Sequence, residues 1–304
     1  MDRFEAMRTL LAAVDGGSLS AASRTLNTPL PTISRRVSDL EAHLGAQLVV
    51  RTSRKLLLTE AGEAFVGAAR RLLDDLGDAE RAASGEYRAP RGELLVTAPI
   101  MFGKLHVAPI VHAFLAAYPD VSVRLVLSDA NIDIVESHVD VAVRVGQLPD
   151  SELVARQVGH IHWVLCASPD YLARRGEPQL PEDLADHDCI AFEGLQTRRV
   201  WRIGTGPTAR SVTVNPRYSV NTGDAVVEAA SAGLGIARVM SYQAATCVGA
   251  CLLVPVLADQ GYEPLPVHLV HRGQRSQPLK LRAFLDFVAP RLKLVIDGFA
   301  STFA

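Results

Sequence analysis

Apolar positions recur at helical spacing over roughly the first third of the chain, and strands alternate with helices over the rest. Phe4, Met7, Leu11 and Val14 predict a first amphipathic helix, ended by Gly16-Gly17. Ser18 to Leu26 reads as a short second helix with Ser18 as its cap, broken by Asn27-Thr28-Pro29. A third runs from about Pro31 to Leu44, with Gly45 placed to end it. Its stripe is Ile33, Val37, Leu40 and Leu44, with Ser34, Arg35, Ser38 and Asp39 facing away and Thr32 and Arg36 on the flanks. Leu48 to Arg51 and Leu56 to Leu58 then read as two strands around the basic turn Thr52-Ser53-Arg54-Lys55.

From Glu60 to about Ser84 a long helix places Phe65, Ala69, Leu72, Leu76, Ala79 and Ala83 on a heptad seam. A core-facing helix of a monomer has the same pattern, but flanking charge favours two helices pairing. Gly85 to Gly92 reads as a linker. Beyond it strands are expected at 94–97, 121–127, 139–145, 161–167, 189–192, 201–203, 212–214, 218–220, 235–239, 252–254 and 267–270. Helices are expected at 105–118, 132–137, 169–175, 223–232, 241–248 and 280–292. This rhythm implies an α/β domain with a mainly parallel, doubly wound sheet.

Charge changes the picture at the N-terminal end. The whole chain carries −2, yet Ser18 to Thr59 holds six Lys/Arg against two Asp/Glu, a local +4. Two short helices around a tight turn, the second with a hydroxyl-and-arginine outer face, followed by a basic turn, suit a winged helix-turn-helix on double-stranded DNA. The alternative is a helical hairpin with a solvated charged face. The first five residues show no signal segment and no stretch approaches the ~18–20 apolar residues of a membrane span, so a cytoplasmic protein is expected. Cys166, Cys189, Cys247 and Cys251 are too few for a disulfide scaffold and read as buried thiols. No metal or cofactor is expected. Gly204-x-Gly206-x-x-Ala209 contains Pro207 and precedes a strand, so it fails as a dinucleotide loop, and His160-x-His162 reads as structural. No hydrolase elbow, zinc-protease helix or Walker loop is found, so no enzyme is expected.

Ala21-Ala22 to Leu26, Ser34-Arg35-Arg36, Leu40-Glu41, Leu44-Gly45, Arg51-Thr52 and Leu58-Thr59-Glu60-Ala61-Gly62 together resemble the DNA-binding domain of LysR-type transcriptional regulators. Pro29-Leu30 replaces a common Ser-Gln pair, and Val49-Val50 a Phe-x pair. Asp140 to Arg144, Cys166 to Leu172, Leu184 to Cys189 and Gly233 to Ala237 resemble the effector domain of the same family, which has the fold of type 2 periplasmic binding proteins. The resemblance implies residues 1–59 as the DNA-binding domain and 60–90 as a dimerising linker helix and hinge. It further implies 91–304 as the effector domain, with lobe I about 91–161 plus 266–304 and lobe II about 162–265. Dimers or dimers of dimers, a small-molecule effector and contact with RNA polymerase are implied as well.

Thr32, Ser34, Arg35 and Ser38 are the expected groove residues, Arg51, Thr52, Ser53, Arg54 and Lys55 the expected phosphate holders, and Ser20 and Arg36 are further expected DNA contacts. Ligands in open α/β sheets sit beyond the carboxyl ends of strands. That rule selects Pro99, Ile100, Met101, Phe102 and Gly103, then Ser128 and Asp129, Arg144, and finally Asn221, Thr222, Gly223 and Asp224. Apolar Met101 and Phe102 beside the free donors expected around Asn221–Asp224 suggest a partly apolar organic acid; otherwise Met101 and Phe102 are core and Arg144 is paired within its lobe. Two alternatives stand beside this reading: a thiol redox sensor using Cys189, Cys247 or Cys251, and a cytoplasmic solute-binding module whose helix-turn-helix only dimerises.

Overall fold

The structure, a computed structural model, describes residues 1–51, 56–83, 89–130, 132–193, 199–261, 264–273, 277–300 and 303. The chain divides into two compact units, Met1–Ala89 and Pro90–Ala304.

In the first unit, α1 (Arg3–Asp15) starts at Asp2, whose carboxylate accepts from the Phe4 N–H at 2.9 Å. Its buried face is Ala6, Thr9, Leu10 and Ala13, while Phe4 is 45% exposed. This corrects the expected stripe. Leu11 and Val14 of that stripe still pack on the core, but its centre is the neighbouring stripe, whose small alanines let other helices approach closely. The Ser18 hydroxyl caps α2 (Leu19–Thr25) by accepting from the Ala21 N–H at 3.1 Å. Asn27 turns the chain at φ 47, and α3 (Leu30–Leu44) ends at Gly45 with φ 65. Ile33, Val37 and Leu40 are buried as the spacing predicts, but Leu44 is 40% exposed.

β1 (Val49–Arg51) pairs antiparallel with β2 (Leu56–Leu58). Glu41 of α3 fastens this hairpin, its carboxylate accepting from the Leu48 and Val49 N–H groups at 2.8 and 3.1 Å. The turn Thr52–Lys55 lies outside the described residues, as do the Arg51 side chain and residues 84–88 of the expected linker. α4 (Glu60–Ala83) is capped by the Thr59 hydroxyl, which accepts from the Gly62 N–H at 2.9 Å. Gly62 is required there: a Cβ would stand 2.0 Å from the Leu48 carbonyl oxygen. The first half of the expected seam divides between roles. Ala69 is buried in this unit's own core and Phe65 packs on it, whereas Leu72 is 50% exposed; the Ala79 and Ala83 side chains lie outside the described residues.

The second unit begins with β3 (Gly92–Ala98). A helical run follows, made of α5 (Ile100–Phe102), a π-helical turn Gly103–Val107 and α6 (Ala108–Ala117). By length and composition this 18-residue run could cross a membrane, contrary to the expectation that no stretch could. Its apolarity has a core explanation: Phe102, Val107, Ile110, Val111 and Phe114 pack against a sheet and the last helix.

Then come β4 (Val121–Leu127), β5 (Val141–Val145), β6 (Leu153–Ala167) and α7 (Pro169–Arg175), followed by β7 (Cys189–Phe192), β8 (Val200–Ile203) and β9 (Arg210–Thr213). β10 (Pro216–Val220), α8 (Gly223–Ser231), β11 (Ile236–Met240), α9 (Ser241–Gly249), β12 (Val254–Val256), β13 (Pro264–Arg272) and α10 (Leu279–Ala300) complete it. The large sheet runs β10-β7-β11-β6-β13-β5-β3-β4, with β12 also on β6. Pairing is parallel at β3–β4, β3–β5, β7–β10 and β7–β11, but antiparallel wherever β6 or β13 takes part. The sheet is therefore mixed rather than mainly parallel.

β6 explains this. Its residues from Leu153 to His162 pair with β13, and Trp163 to Ala167 pair with β11 and β12, so one strand serves two cores. The sequence suggests a strand only from Ile161, because polar Arg156, Gln157 and His160 mask the earlier part. The expected helix at Ile132–Ser137 is instead a set of turns, with the Asp133 carboxylate accepting from the Val135 and Glu136 N–H groups. α10 extends eight residues past Leu292 because Ile296 continues its buried stripe. Gly204 to Ala209 is the turn region between β8 and β9. Cys166 and Cys189 are buried and Cys247 half-buried, but Cys251 is exposed at φ 56, which corrects its reading as a buried thiol.

Candidate functional site

On the first unit, α3 turns its outer face to solvent. Thr32, Arg35 and Ser38 are exposed, Ser34 is half-buried, and Ser20 is exposed on α2. The Arg35 side chain is 83% exposed, with only a 3.8 Å pairing to Asp39 one turn on. Arg36 differs: its guanidinium meets the Glu5 carboxylate of α1 at 2.5 Å. The turn before α3 is fixed locally, since the Ser23 hydroxyl donates to the Thr28 carbonyl at 2.6 Å and Thr28 N–H to the Ser23 carbonyl at 3.0 Å. That places one clean polar face on a helix whose other face is locked into the core.

On the second unit, several of the selected loops converge. Within the first, Ile100 to Phe102 is helix rather than loop, and Phe102 and Gly103 are buried. Leu127 fills the space a Cβ on Gly103 would need. Neither offers surface to a ligand, which corrects their reading as contacts. Met101 remains partly buried, and its sulfur lies 3.6 Å from where Gly223 would carry a Cβ. Pro99 and Ile100 are half-buried beside it, and the Ile100 N–H donates to the Asp129 carboxylate at 3.0 Å. The Ser128 hydroxyl accepts from the Ala130 N–H at 3.1 Å.

Asn221 and Asp224 are exposed, Thr222 is half-buried and Gly223 is buried. Asp224 accepts from the Ala225 N–H at 3.0 Å. Its carboxyl is held below the usual range by the Thr222 hydroxyl and backbone donors, with a further pull from Lys104. These donors are therefore already engaged by the chain's own carboxylates. Arg144 donates to the Ile132 carbonyl, and burial lowers its pKa.

Four residues beside these loops escaped the sequence reading. Tyr242 stands edge-on to Phe102 at 5.1 Å and to His106 at 5.8 Å. Burial, then Asp129, pushes its hydroxyl pKa up, while burial lowers His106 to about 4. Gln243 accepts from the Met240 N–H at 2.9 Å, and its amide nitrogen occupies the space a Gly223 Cβ would need. The charge of Lys104 helps hold the Asp224 carboxyl below its usual range. Tyr242 and Gln243 follow the carboxyl end of β11, so the strand-end rule applied to that strand finds them. Lys104 is the lone lysine of a mainly apolar run that also holds His106 and His112.

Comparisons with known proteins bear on the family and the fold. Residues 4–63 match the family described as bacterial regulatory helix-turn-helix protein, lysR family, and residues 88–293 the LysR substrate binding domain. An HTH-type transcriptional repressor of Pseudomonas aeruginosa (strain UCBPP-PA14) is 34% identical over 95% of this chain and 92% of its own. The regulator CrgA of Neisseria meningitidis serogroup C is 31% identical over 95% of this chain and 96% of its own. The solved structure of CrgA matches with a TM-score of 0.62 at 31% identity, covering 95% of this chain and 98% of that one. Full-length AphB of Vibrio cholerae matches at 0.59 and 30% identity, over 94% and 98%. Regulators of this family bind DNA and small-molecule effectors and form oligomers, and they are not enzymes. With both family domains matched in order along nearly its whole length, the chain belongs to the LysR-type transcriptional regulators and carries their effector-binding domain.

Proposed function

We propose that residues 1–59 read promoter DNA, that 60–90 dimerise the protein and act as hinge, and that 91–304 sense the effector through a cleft between two lobes. Thr32, Ser34, Arg35 and Ser38 are the groove contacts, Ser20 approaches the backbone, and Arg51 to Lys55 hold phosphate. The observation that carries this reading is the outer face of α3, where the largely exposed Arg35 guanidinium stands among hydroxyls. A dimer places two such helices on half-sites about one helical turn, ~34–36 Å, apart. The protein works in the cytoplasm, where its promoter lies, as a dimer or dimer of dimers able to contact RNA polymerase. Footprinting on the DNA upstream of its own gene tests this; paired protected half-sites are expected. A solute-binding module with no DNA role would leave none.

The effector we propose is a small organic acid with an apolar body against Met101. Its carboxylate competes with Asp224 for Lys104 and for the first turn of α8. Isothermal titration with an organic-acid panel checks this, and Asp224→Asn is expected to tighten the acid that binds. Binding of cations or sugars alone rejects it. The redox alternative finds no support at Cys189, whose thiol burial pushes up to about 12, far from a reactive thiolate; for exposed Cys251 and half-buried Cys247, unchanged DNA affinity after peroxide treatment would dismiss it.

A further inference from the structure

The tip of α3 is hydrocarbon. Pro29, Leu30 and Pro31 are all exposed, Leu30 to 42%. The tip has few donors to offer a phosphate. Pro31 carries no N–H, and the Thr32 and Ile33 N–H groups both donate to the Pro29 carbonyl, at 2.9 and 3.1 Å. No side chain caps this end. The prolines on either side restrict the backbone here, so little conformational freedom is lost when Leu30 is covered. In helix-turn-helix docking the N-terminal residues of the second helix meet base edges. The only strongly apolar group that a base presents in the major groove is the thymine C5-methyl.

We propose that Leu30 is a specificity-determining residue that reads one thymine per half-site through its C5-methyl group. The inference rests on α3 being the groove-reading helix, but adds a contact that none of the polar residues on that face makes. Leu30 excludes cytosine at that step, because its exocyclic amine would lose water against a side chain with no acceptor.

The test uses a duplex carrying the strongest protected site upstream of the protein's own gene. Each thymine is replaced singly by deoxyuridine, which removes the methyl and keeps every hydrogen bond. Wild-type protein is expected to lose about fourfold in affinity at one position per half-site, the factor equivalent to ~0.8 kcal/mol for one buried CH₂. Leu30→Ala is expected to bind the parent duplex more weakly and to be indifferent to uridine at that same position. Its thermal midpoint should match wild type, because the side chain is exposed. If no uridine weakens wild-type binding, or if Leu30→Ala keeps the full penalty there, Leu30 reads no methyl. A protein that protects no site at all removes the DNA reading itself, and the Leu30 role with it.

Discussion

Arg35 and Arg36 are neighbours in sequence and differ in environment by one helical step of about 100°. Arg35 projects into solvent, whereas Arg36 reaches Glu5 on α1. Arg35→Ala is therefore expected to abolish the preference for operator over random DNA, read as a ratio in competition binding. Arg36→Ala is expected to keep that ratio and lower stability by only about 0.2–1 kcal/mol, the range of a partly exposed ion pair. Equal loss of the ratio in both variants contradicts the division. Residue type alone could not separate the two, because the distinction depends on where α1 lies.

At the scale of elements, the hairpin β1–β2 is held to α3 by Glu41 and to α4 by Thr59, whose hydroxyl also donates to the Gln47 carbonyl at 2.6 Å. Its turn carries Arg54 and Lys55, proposed as phosphate contacts that bind every sequence alike. Arg54→Ala with Lys55→Ala should weaken operator and random DNA together. The slope of log affinity against log salt should fall by about 3.6 for a bound dimer, at ~0.9 per phosphate lost and two lost in each subunit. An unchanged slope removes these two cations from the phosphate contacts. α4 likewise has two roles along one stripe: its first turns complete a core, and Leu72 lies open.

Across the effector domain, β6 is the strand that belongs to both halves of the sheet, and the end of the chain adds a second tie. α10 packs in the first core, while Phe303 packs on the core around Cys166 and Val239 and stands edge-on to His162 at 5.8 Å. Stability here is expected to depend on pH through four half-buried histidines. His106 titrates at about 4 when folded, against 6.5 as its ordinary value, so between the two the unfolded chain binds more protons. Its contribution is complete above about 6.5 and is lost as pH falls towards 4. His162, His187 and His268 are lowered too, each first by burial, and act in the same direction. Thermal midpoints of the full protein measured from pH 7 down to pH 4 are expected to fall. His106→Leu should flatten that decline, and an identical decline in the variant shows that His106 is not its source.

Local pattern determined much of this protein. The caps at Ser18 and Gly45, the stripe Ile33-Val37-Leu40 and most of the order of strands and helices arise from interactions within a few residues, which spacing and residue type express directly. Which of two stripes on α1 turns inward, that β6 runs fifteen residues across two cores, and that Phe102 is core were decided only in three dimensions. So was the engagement of the Ile100 N–H by the Asp129 carboxylate, 29 residues away. Each of these depends on a partner distant in the chain, and burial and pairing with distant partners leave no period in the sequence to read.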